Sequence, residues 1–357
     1  MAQSTVTLSG NVKAGLAQTK YSGALAGNGS ATGLADGSSR FILSGSEDLG
    51  GGMKANFQVD TRFRVDDNGA APTSSPLAGG NTFVGVAGGF GNVQLGKLDT
   101  HYCLGSDSHG TRATALQASS CALLGYVNGG GAAQAIANTS RSTNVIRYTA
   151  PVFSGLTLQA NYSTSYAGSE GAVGSTSKGK ATNLNAMYAN GPLTAGISLW
   201  QATGEDQTAT VARTGQKATN AMVNYDLGMA TIGLAYDQSA QRAAAANVAA
   251  FTDTKRTAWS VPVTVPVGAG TILFTYTKAA NTKTAGVTNA DTAASLISVG
   301  YDYALSKRTS LGVSYAKLDN KVNAGYALYT QAALNGTPAN AVGQDASQFY
   351  LGLRHSF

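Results

Sequence analysis

Apolar and polar residues alternate along most of this chain, and the alternation indicates extended strands. From Thr5 to Leu16 the even positions are apolar, while odd positions include Asn11 and Lys13. From Met53 to Val65 one face is apolar and the other carries Asn56, Gln58, Asp60, Arg62 and Arg64. A period of two predicts strands that have one apolar face and one polar face.

Short turns and long polar connections alternate between these strands. The predicted turns lie at 47–52, 88–91, 151–155, 190–192, 226–228, 266–268 and 305–308. The predicted loops lie at 18–39, 65–80, 98–140, 165–181, 202–216, 237–255, 278–294 and 319–346. Seven turns and eight loops join sixteen strands, a pattern that is typical of barrels in the outer membrane. We predict an all-β fold in which residues 1–357 form a single 16-stranded antiparallel transmembrane β-barrel. Its short turns are expected to be periplasmic, its eight long loops extracellular, and its third loop (98–140) folded into the lumen.

The last strand is expected to close this barrel. Ser347 to Phe357 places Phe349, Leu351, Leu353 and Phe357 outward and Gln348, Tyr350 and Arg354 inward. Pairing with Thr5 to Leu16 removes the sheet edges, which lipid cannot satisfy. Pro262 interrupts a strand, because proline cannot donate to the ladder, and we expect a bulge there.

Composition narrows the classes of protein to which this chain can belong. The chain has 45 glycines and 16 tyrosines, 12% of its residues are charged, and its mean hydropathy is −0.05. No run of 18 apolar residues occurs, so a transmembrane helix is excluded. The net charge of +6 is spread along the chain, whereas a nucleic-acid binder concentrates its positive charge. The N-terminus has neither a positively charged n-region nor an apolar h-region, so we expect no signal peptide and, if the protein is exported, a mature form with an added Met1.

Several segments carry a family resemblance. They include Ser4-Thr-Val-Thr-Leu-Ser-Gly, Arg40-Phe-Ile-Leu-Ser-Gly-Ser-Glu-Asp-Leu-Gly-Gly-Gly-Met-Lys-Ala, Gly91-Asn-Val-Gln-Leu-Gly-Lys, Arg141-Ser-Thr-Asn-Val-Ile-Arg-Tyr, Leu305-Ser-Lys-Arg-Thr-Ser and the terminal Gly352-Leu-Arg-His-Ser-Phe. These segments resemble the general Gram-negative porins of β-proteobacteria, of the neisserial and comamonad type. The resemblance implies a homotrimer in the outer membrane, in contact with lipid and lipopolysaccharide, whose third loop narrows each pore. It also implies that Phe357 presents the chain to the barrel-assembly machinery, and that Arg40 and Arg141 belong to an anion-selective constriction.

This sequence departs from the family at several positions. Gly80-Asn81 replaces an arginine pair that is common in the family, and the acidic patch that is frequent in the third loop is absent. Lys13 and Arg62 stand where relatives often have acidic residues.

Counting residues from the turns predicts a basic arc inside the barrel. Lys13, Arg40, Arg62 and Arg141 are inward-facing and lie eight to ten residues above the turn level. A rise of about 3.3 Å per residue and a tilt near 40° place them in one narrow band. Asp60 lies at the same level, and Arg147 and Arg354 lie nearer the periplasmic exit.

Basic rings are typical of anion pores, so this arc predicts anion preference. The loop 98–140 offers only Asp99, Asp107 and Arg112 as charged residues, so any acidic face opposite the arc is weak. The alternative is a wet lumen whose charges confer no selectivity.

The third loop also contains both cysteines. Cys103 and Cys121 enclose seventeen residues, and a disulfide between them would stabilise the loop by about 3 kcal/mol. Two free thiols are one alternative. A zinc site formed with His101 and His109 is another, although the spacing matches no standard finger. We expect no metal and no cofactor.

Asp107-Ser108-His109 contains the residue types of a catalytic triad, but adjacency in sequence does not supply triad geometry, and we expect no enzyme. The sequence therefore predicts an outer-membrane diffusion porin for small anionic and neutral solutes, with a preference for anions. The alternatives are a porin specific for organic anions such as carboxylates, and a surface adhesin or receptor that acts through its long loops.

Overall fold

A computed structural model of the chain describes residues 4–23, 28–65, 77–101, 109, 112–127, 133–136, 141–166, 179–204, 213–244, 250–329 and 341–357. In this part of the chain, nineteen strands form one antiparallel sheet. The sheet closes where β1 (Ser4–Gly23) pairs with β21 (Gln344–Ser356), from Asn11 opposite Ser356 to Gly23 opposite Gln344. Closure leaves no open sheet edge, as a lipid environment requires.

The other strands of the sheet are β2 (Gly29–Asp36), β3 (Ser39–Gly50), β4 (Met53–Phe63), β5 (Thr82–Gly88), β6 (Gly91–Asp99), β9 (Arg141–Thr149), β10 (Leu156–Ser163), β11 (Gly179–Asn190), β12 (Leu193–Gly204), β13 (Arg213–Asp226), β14 (Thr231–Ala244), β15 (Thr252–Val267), β16 (Gly270–Ala279), β17 (Lys283–Thr284), β18 (Val287–Thr288), β19 (Ala294–Ala304) and β20 (Thr309–Asn320). β2 and β3 pair with successive parts of β1 and act as one spanning strand. β17 and β18 form a small hairpin beside β15. Among the described residues sixteen strands therefore span the barrel, which confirms the predicted fold.

The remaining elements lie between β6 and β9. They are a 3₁₀ turn, η1 (Leu116–Ala118), a single α-helical turn, α1 (Cys121–Leu124), and two short strands, β7 (Tyr126–Val127) and β8 (Gln134–Ala135), that pair with each other. No helix in the described ranges is long and apolar enough to cross a membrane.

Three local predictions were wrong. The predicted loop 237–255 is strand over most of its described length, because β14 continues to Ala244 and β15 begins at Thr252. The predicted loop 18–39 is largely strand, because β1 continues to Gly23 and β2 pairs back along it from Gly29. The predicted bulge at Pro262 is also absent, since β14 and β15 keep one register on either side of it. Gly233 lies beside Pro262, and a Cβ built on Gly233 would come within 2.8 Å of the proline ring. A residue without a side chain therefore accommodates the ring.

The strands alternate between a lipid-facing apolar surface and an inward surface. In β21 Leu351 is 51% exposed, whereas the inward-facing Gln348 and Tyr350 are almost fully buried. The largest buried apolar cluster of the described chain lies inside the barrel rather than between layers. It contains α1, inward-facing residues such as Leu296 and Leu318, and the segment 324–329.

Candidate functional site

Arg40 and Arg62 lie opposite each other on β3 and β4 and share the carboxylate of Asp60. Arg62 donates from Nε to Oδ1 and from NH2 to Oδ2, both at 2.9 Å, and its NH1 donates to Ser38 Oγ at 2.9 Å. Arg40 NH1 lies 3.8 Å from Asp60 Oδ2. Asp60 is buried, and its backbone accepts from Gly80 N at 2.7 Å. One carboxylate thus holds two guanidinium groups in place and offsets only one of their charges.

A second carboxylate, Asp99 at the end of β6, organises the neighbouring wall. Arg141 is its register partner on β9, with NH1 3.4 Å from Oδ1. Asn81 donates to Asp99 Oδ2 at 2.8 Å and accepts from its backbone N at 2.7 Å. Arg147 donates to the backbone oxygen of Asp99 and to Asn161 Oδ1 at 2.7 Å. Three strands, β6, β9 and β10, and the residue that precedes β5 therefore converge on one polar network.

These two networks are close enough to act on each other. Arg40 interacts electrostatically with Arg62 and Arg141, and Lys97 on β6 interacts with Arg62 and Arg141. The structure thus brings together three members of the predicted arc, Arg40, Arg62 and Arg141, and adds Lys97. We define the basic arc as these four residues. The sequence reasoning missed Lys97, because it shares the parity of the outward-facing Val93 and Leu95.

Lys13 is packed differently from the residues of this basic arc, although its backbone N donates to Ser39 Oγ, one residue from Arg40, at 3.0 Å. Lys13 is only 1% exposed, and a Cβ on Gly37 would come within 2.1 Å of its side chain. Lys13 therefore packs tightly against Gly37 and interacts electrostatically with His109 rather than facing open water. Arg354 is its register partner on β21 and is half-buried. Asp107 lies outside the described residues.

The described part of the third loop, 112–127 and 133–136, lies inside the barrel against the far wall. Ala113 N donates to Asp302 Oδ1 at 3.3 Å, and Ala115 N donates to Ser314 Oγ at 3.0 Å. The backbone oxygen of Ala135 accepts from Gln216 and Gln241, both at 2.9 Å. The loop therefore crosses the interior and is held by inward-facing side chains of β13, β14, β19 and β20.

Arg256 is the central anchor of this loop. It is fully buried, and its NH1 donates to Asp237 Oδ1 at 2.7 Å. Its Nε donates to the backbone oxygen of Tyr126 at 3.0 Å, and its NH2 donates to that of Leu124 at 3.1 Å. Asp237 also accepts from Asn220 at 3.2 Å and Ser239 at 2.8 Å. Sequence reasoning did not find this pair, although both residues have inward-facing parity.

The two loop histidines are neutral packing residues. His101 Nδ1 lies 2.8 Å from Ser198 Oγ, while Nδ1 and Nε2 of His109 lie 3.2 and 3.1 Å from hydroxyls of Thr114 and Ser298. Burial, which disfavours the charged ring, lowers the pKa of His101 to about 4 and that of His109 to about 3. Nearby Lys13 and Arg112 lower the pKa of His109 further.

The structure describes only some of the residues on which the cysteine and metal predictions rest. Cys121 is disulfide-bonded, and Cys103 lies outside the described residues, so their pairing stays a prediction. Among the described residues no group of three or more His, Cys, Asp and Glu side chains is placed to hold a metal ion.

A closed barrel with an apolar outer face, a polar interior and a loop folded across that interior is a membrane diffusion channel of the porin class. Comparison with known families agrees: the Gram-negative porin family matches residues 1–324. The chain belongs to this family, and it forms a water-filled channel in the outer membrane.

Individual relatives support the same conclusion. Outer membrane porin protein 32 of Delftia acidovorans is 28% identical, over 100% of this chain and 95% of that protein. The solved anion-selective porin from Comamonas acidovorans is 26% identical, with a TM-score of 0.80 over 99% of this chain and 100% of that one. The trimer form of OmpT from Vibrio cholerae, at 16% identity and a TM-score of 0.66 over 99% of both chains, shows the same fold. The predicted resemblance to β-proteobacterial porins is confirmed.

Proposed function

We propose that this channel prefers anions and that the basic arc carries the preference. The supporting observation is the set of four basic residues, Arg40, Arg62, Lys97 and Arg141, in mutual electrostatic contact with the two carboxylates Asp60 and Asp99. An anion passing this wall meets net positive charge. Several separate guanidinium groups give it weak, successive contacts, which permit release as well as entry. The similar porin from Comamonas acidovorans is described as anion-selective, in agreement with this proposal.

Reversal potentials in a KCl gradient across planar bilayers test this proposal. Replacing Arg40 and Arg141 by serine removes two positive charges and should lower the Cl⁻/K⁺ permeability ratio about threefold per charge, the effect of a charge at several Å in water. The control replaces Lys20 and Lys278 by serine, because both are exposed and lie outside the lumen. An unchanged ratio in the lumen variant would refute the proposal. Saturable current block by a carboxylate solute would instead indicate the substrate-specific alternative.

We also propose that Cys121 pairs with Cys103, the only other cysteine in the chain. Cys121 is disulfide-bonded, and the bond would brace the loop that the Arg256 anchor holds. Thiol titration of the unfolded protein should show two thiols after reduction and none before. Two thiols before reduction would overturn the pairing.

The expected partners are part of the same proposal. We propose a homotrimer in contact with outer-leaflet lipid and lipopolysaccharide, passing small anionic and neutral solutes without catalysis. The trimer form of a porin with the same fold supports the assembly. Phe357 is 41% exposed and its backbone is bonded to Gly10, and we propose that this residue presents the chain to the barrel-assembly machinery. Native mass spectrometry tests the trimer, and a lipid-hydrolysis assay with no product agrees with a channel.

A further inference from the structure

The two carboxylates beside the basic arc contact their arginines in different ways. Arg62 contacts both oxygens of Asp60 in a two-point contact, at 2.9 Å each. In the described part of the chain, Arg141 reaches Asp99 through a single hydrogen bond, from NH1 to Oδ1 at 3.4 Å. Guanidinium and carboxylate groups frequently pair through two parallel hydrogen bonds, so a neighbouring group must keep Arg141 from the second oxygen of Asp99.

Asn81 occupies the part of Asp99 that a two-point contact would need. Its Nδ2 donates to Asp99 Oδ2 at 2.8 Å, and its Oδ1 accepts from the backbone N of Asp99 at 2.7 Å. Arg147 donates to the backbone oxygen of Asp99. Every polar group of Asp99 is therefore bonded, and the two bonds from one amide side chain fix the orientation of its carboxylate. Oδ1 is the oxygen that is left for Arg141.

The backbone of Asn81 is held independently of its side chain. Gly80 N donates to the backbone oxygen of Asp60 at 2.7 Å, and the backbone oxygen of Asn81 accepts from Gln58 Nε2 at 3.0 Å. Gly80 is buried, and a Cβ there would lie 2.0 Å from Asp60 Cγ. The segment therefore packs closely on the wall, and Asn81 presents its amide to Asp99 from a fixed position.

This arrangement leaves most of the Arg141 guanidinium group available. The side chain is 15% exposed, and among the described residues its Nε and NH2 form no hydrogen bond with the protein. A guanidinium group with unoccupied donors can bind an anionic solute, whereas a two-point contact with a carboxylate occupies two donors and offsets the charge. Arg141 also interacts electrostatically with Arg40 and Lys97, so its charge adds to the field of the basic arc.

The carboxylate of Asp60 provides a comparison. There Arg62 occupies both oxygens, and Arg40, which is 33% exposed, lies 3.8 Å away, beyond hydrogen-bond distance. At each carboxylate one residue holds the oxygens and leaves an arginine for the solute. At Asp60 the holding residue is charged, whereas at Asp99 it is the neutral Asn81. The effect of holding the carboxylate can therefore be separated from the effect of charge at Asn81.

We propose that Asn81 is a positioning residue for anion preference, because it holds Asp99 and prevents this carboxylate from closing on Arg141. The inference rests on the proposed function, in which Arg141 acts on the permeating anion, and it adds a neutral residue that sets the selectivity. If the net charge of the lumen alone decided selectivity, replacing Asn81 by another neutral residue would have no effect.

Reversal potentials in a KCl gradient across planar bilayers test the role of Asn81. Asn81→Leu nearly keeps the shape of the side chain and removes both hydrogen bonds to Asp99, and Asn81→Ala is a second variant that adds no bulk to the lumen. Both leave the formal charge unchanged. The matched control is Asn92→Ala on β6, whose amide oxygen accepts from Asn56 Nδ2 at 3.4 Å. Each Asn81 variant is also made in an Arg141→Ser background.

Both Asn81 variants should lower the Cl⁻/K⁺ permeability ratio about twofold. This is less than the roughly threefold fall expected for Arg141→Ser, because Arg141 keeps its charge but shares it with Asp99. The control should keep the wild-type ratio. In the Arg141→Ser background the Asn81 substitutions should lower the ratio no further, since the residue through which they act is absent.

Three results would overturn the proposal, and they differ in what they leave standing. A lower urea midpoint with an unchanged ratio in both Asn81 variants would show a purely structural role. An equal fall of the ratio in the Arg141→Ser background would show that Asn81 acts through another residue. Both results leave the proposed function intact. An unchanged ratio in Arg141→Ser itself would remove the role of Arg141 in the proposed function, and this inference with it.

Discussion

Replacing Arg256 by methionine should release the third loop from the barrel wall. The substitution removes the cation from a fully buried ion pair and, among the described residues, leaves Asp237 with Asn220 and Ser239 as donors. It also removes the donor to the backbone oxygens of Leu124 and Tyr126. Breaking a buried pair from one side costs about 3–5 kcal/mol. Because about 1.4 kcal/mol corresponds to a tenfold change, the population of the displaced loop should rise at least about 100-fold.

The measurement is open-channel current noise in single-channel recordings, supported by the urea midpoint of unfolding. The matched control is Arg242→Met, which breaks another Arg–Asp pair, with Asp253, whose side chains are 23% and 20% exposed. A pair that solvent reaches contributes less than a fully buried one, and a surface pair contributes about 0–1 kcal/mol, so this control should add less current noise than Arg256→Met. Adding Asp237→Asn to Arg256→Met removes the orphaned charge and should restore part of the stability. Noise in Arg256→Met no greater than in the control would refute the anchor.

Two further predictions concern the loop and the basic arc. Burial holds the pKa of His101 at about 4 and that of His109 at about 3, whereas the pKa of an exposed histidine is about 6.5. The displaced loop, whose histidines are exposed, therefore binds more protons than the packed loop. Loop packing should weaken as pH falls from about 6.5 toward 4, giving more channel closures at pH 5 than at pH 7, and glutamine at both positions should flatten this dependence. Gly80→Ala should disturb the basic arc and lower the urea midpoint by an amount equivalent to about 1–3 kcal/mol, since a Cβ there would lie 2.0 Å from Asp60 Cγ. Gly89→Ala, where a Cβ meets nothing within 4 Å, should leave both ion selectivity and the midpoint unchanged.

The strands were predictable because their signal is local. A period of two in β4 placed Asp60 and Arg62 on the lumen face without any knowledge of their neighbours, and the structure pairs them at 2.9 Å. Local reasoning failed for 18–39, where polar residues on both faces of β1 and β2 concealed the alternation. Reasoning from local sequence could not predict the Arg256 anchor, because its contact with Leu124 joins residues 132 positions apart. That contact depends on the path of the third loop inside the barrel.

A charged residue that faces inward can therefore have one of two roles, and the path of the third loop decides which role it has. Lys13 and Arg256 face inward but are buried, Arg256 beneath the loop, and they act in packing. Arg40 and Arg62 face inward on the wall that carries the basic arc and remain partly exposed, so we propose that they act on the permeating ion. Between 112 and 127 the loop carries one charged residue, Arg112, which lies 3.7 Å from Asp302. With no carboxylate on this part of the loop, anion preference follows from one basic wall rather than from a field between two opposed faces.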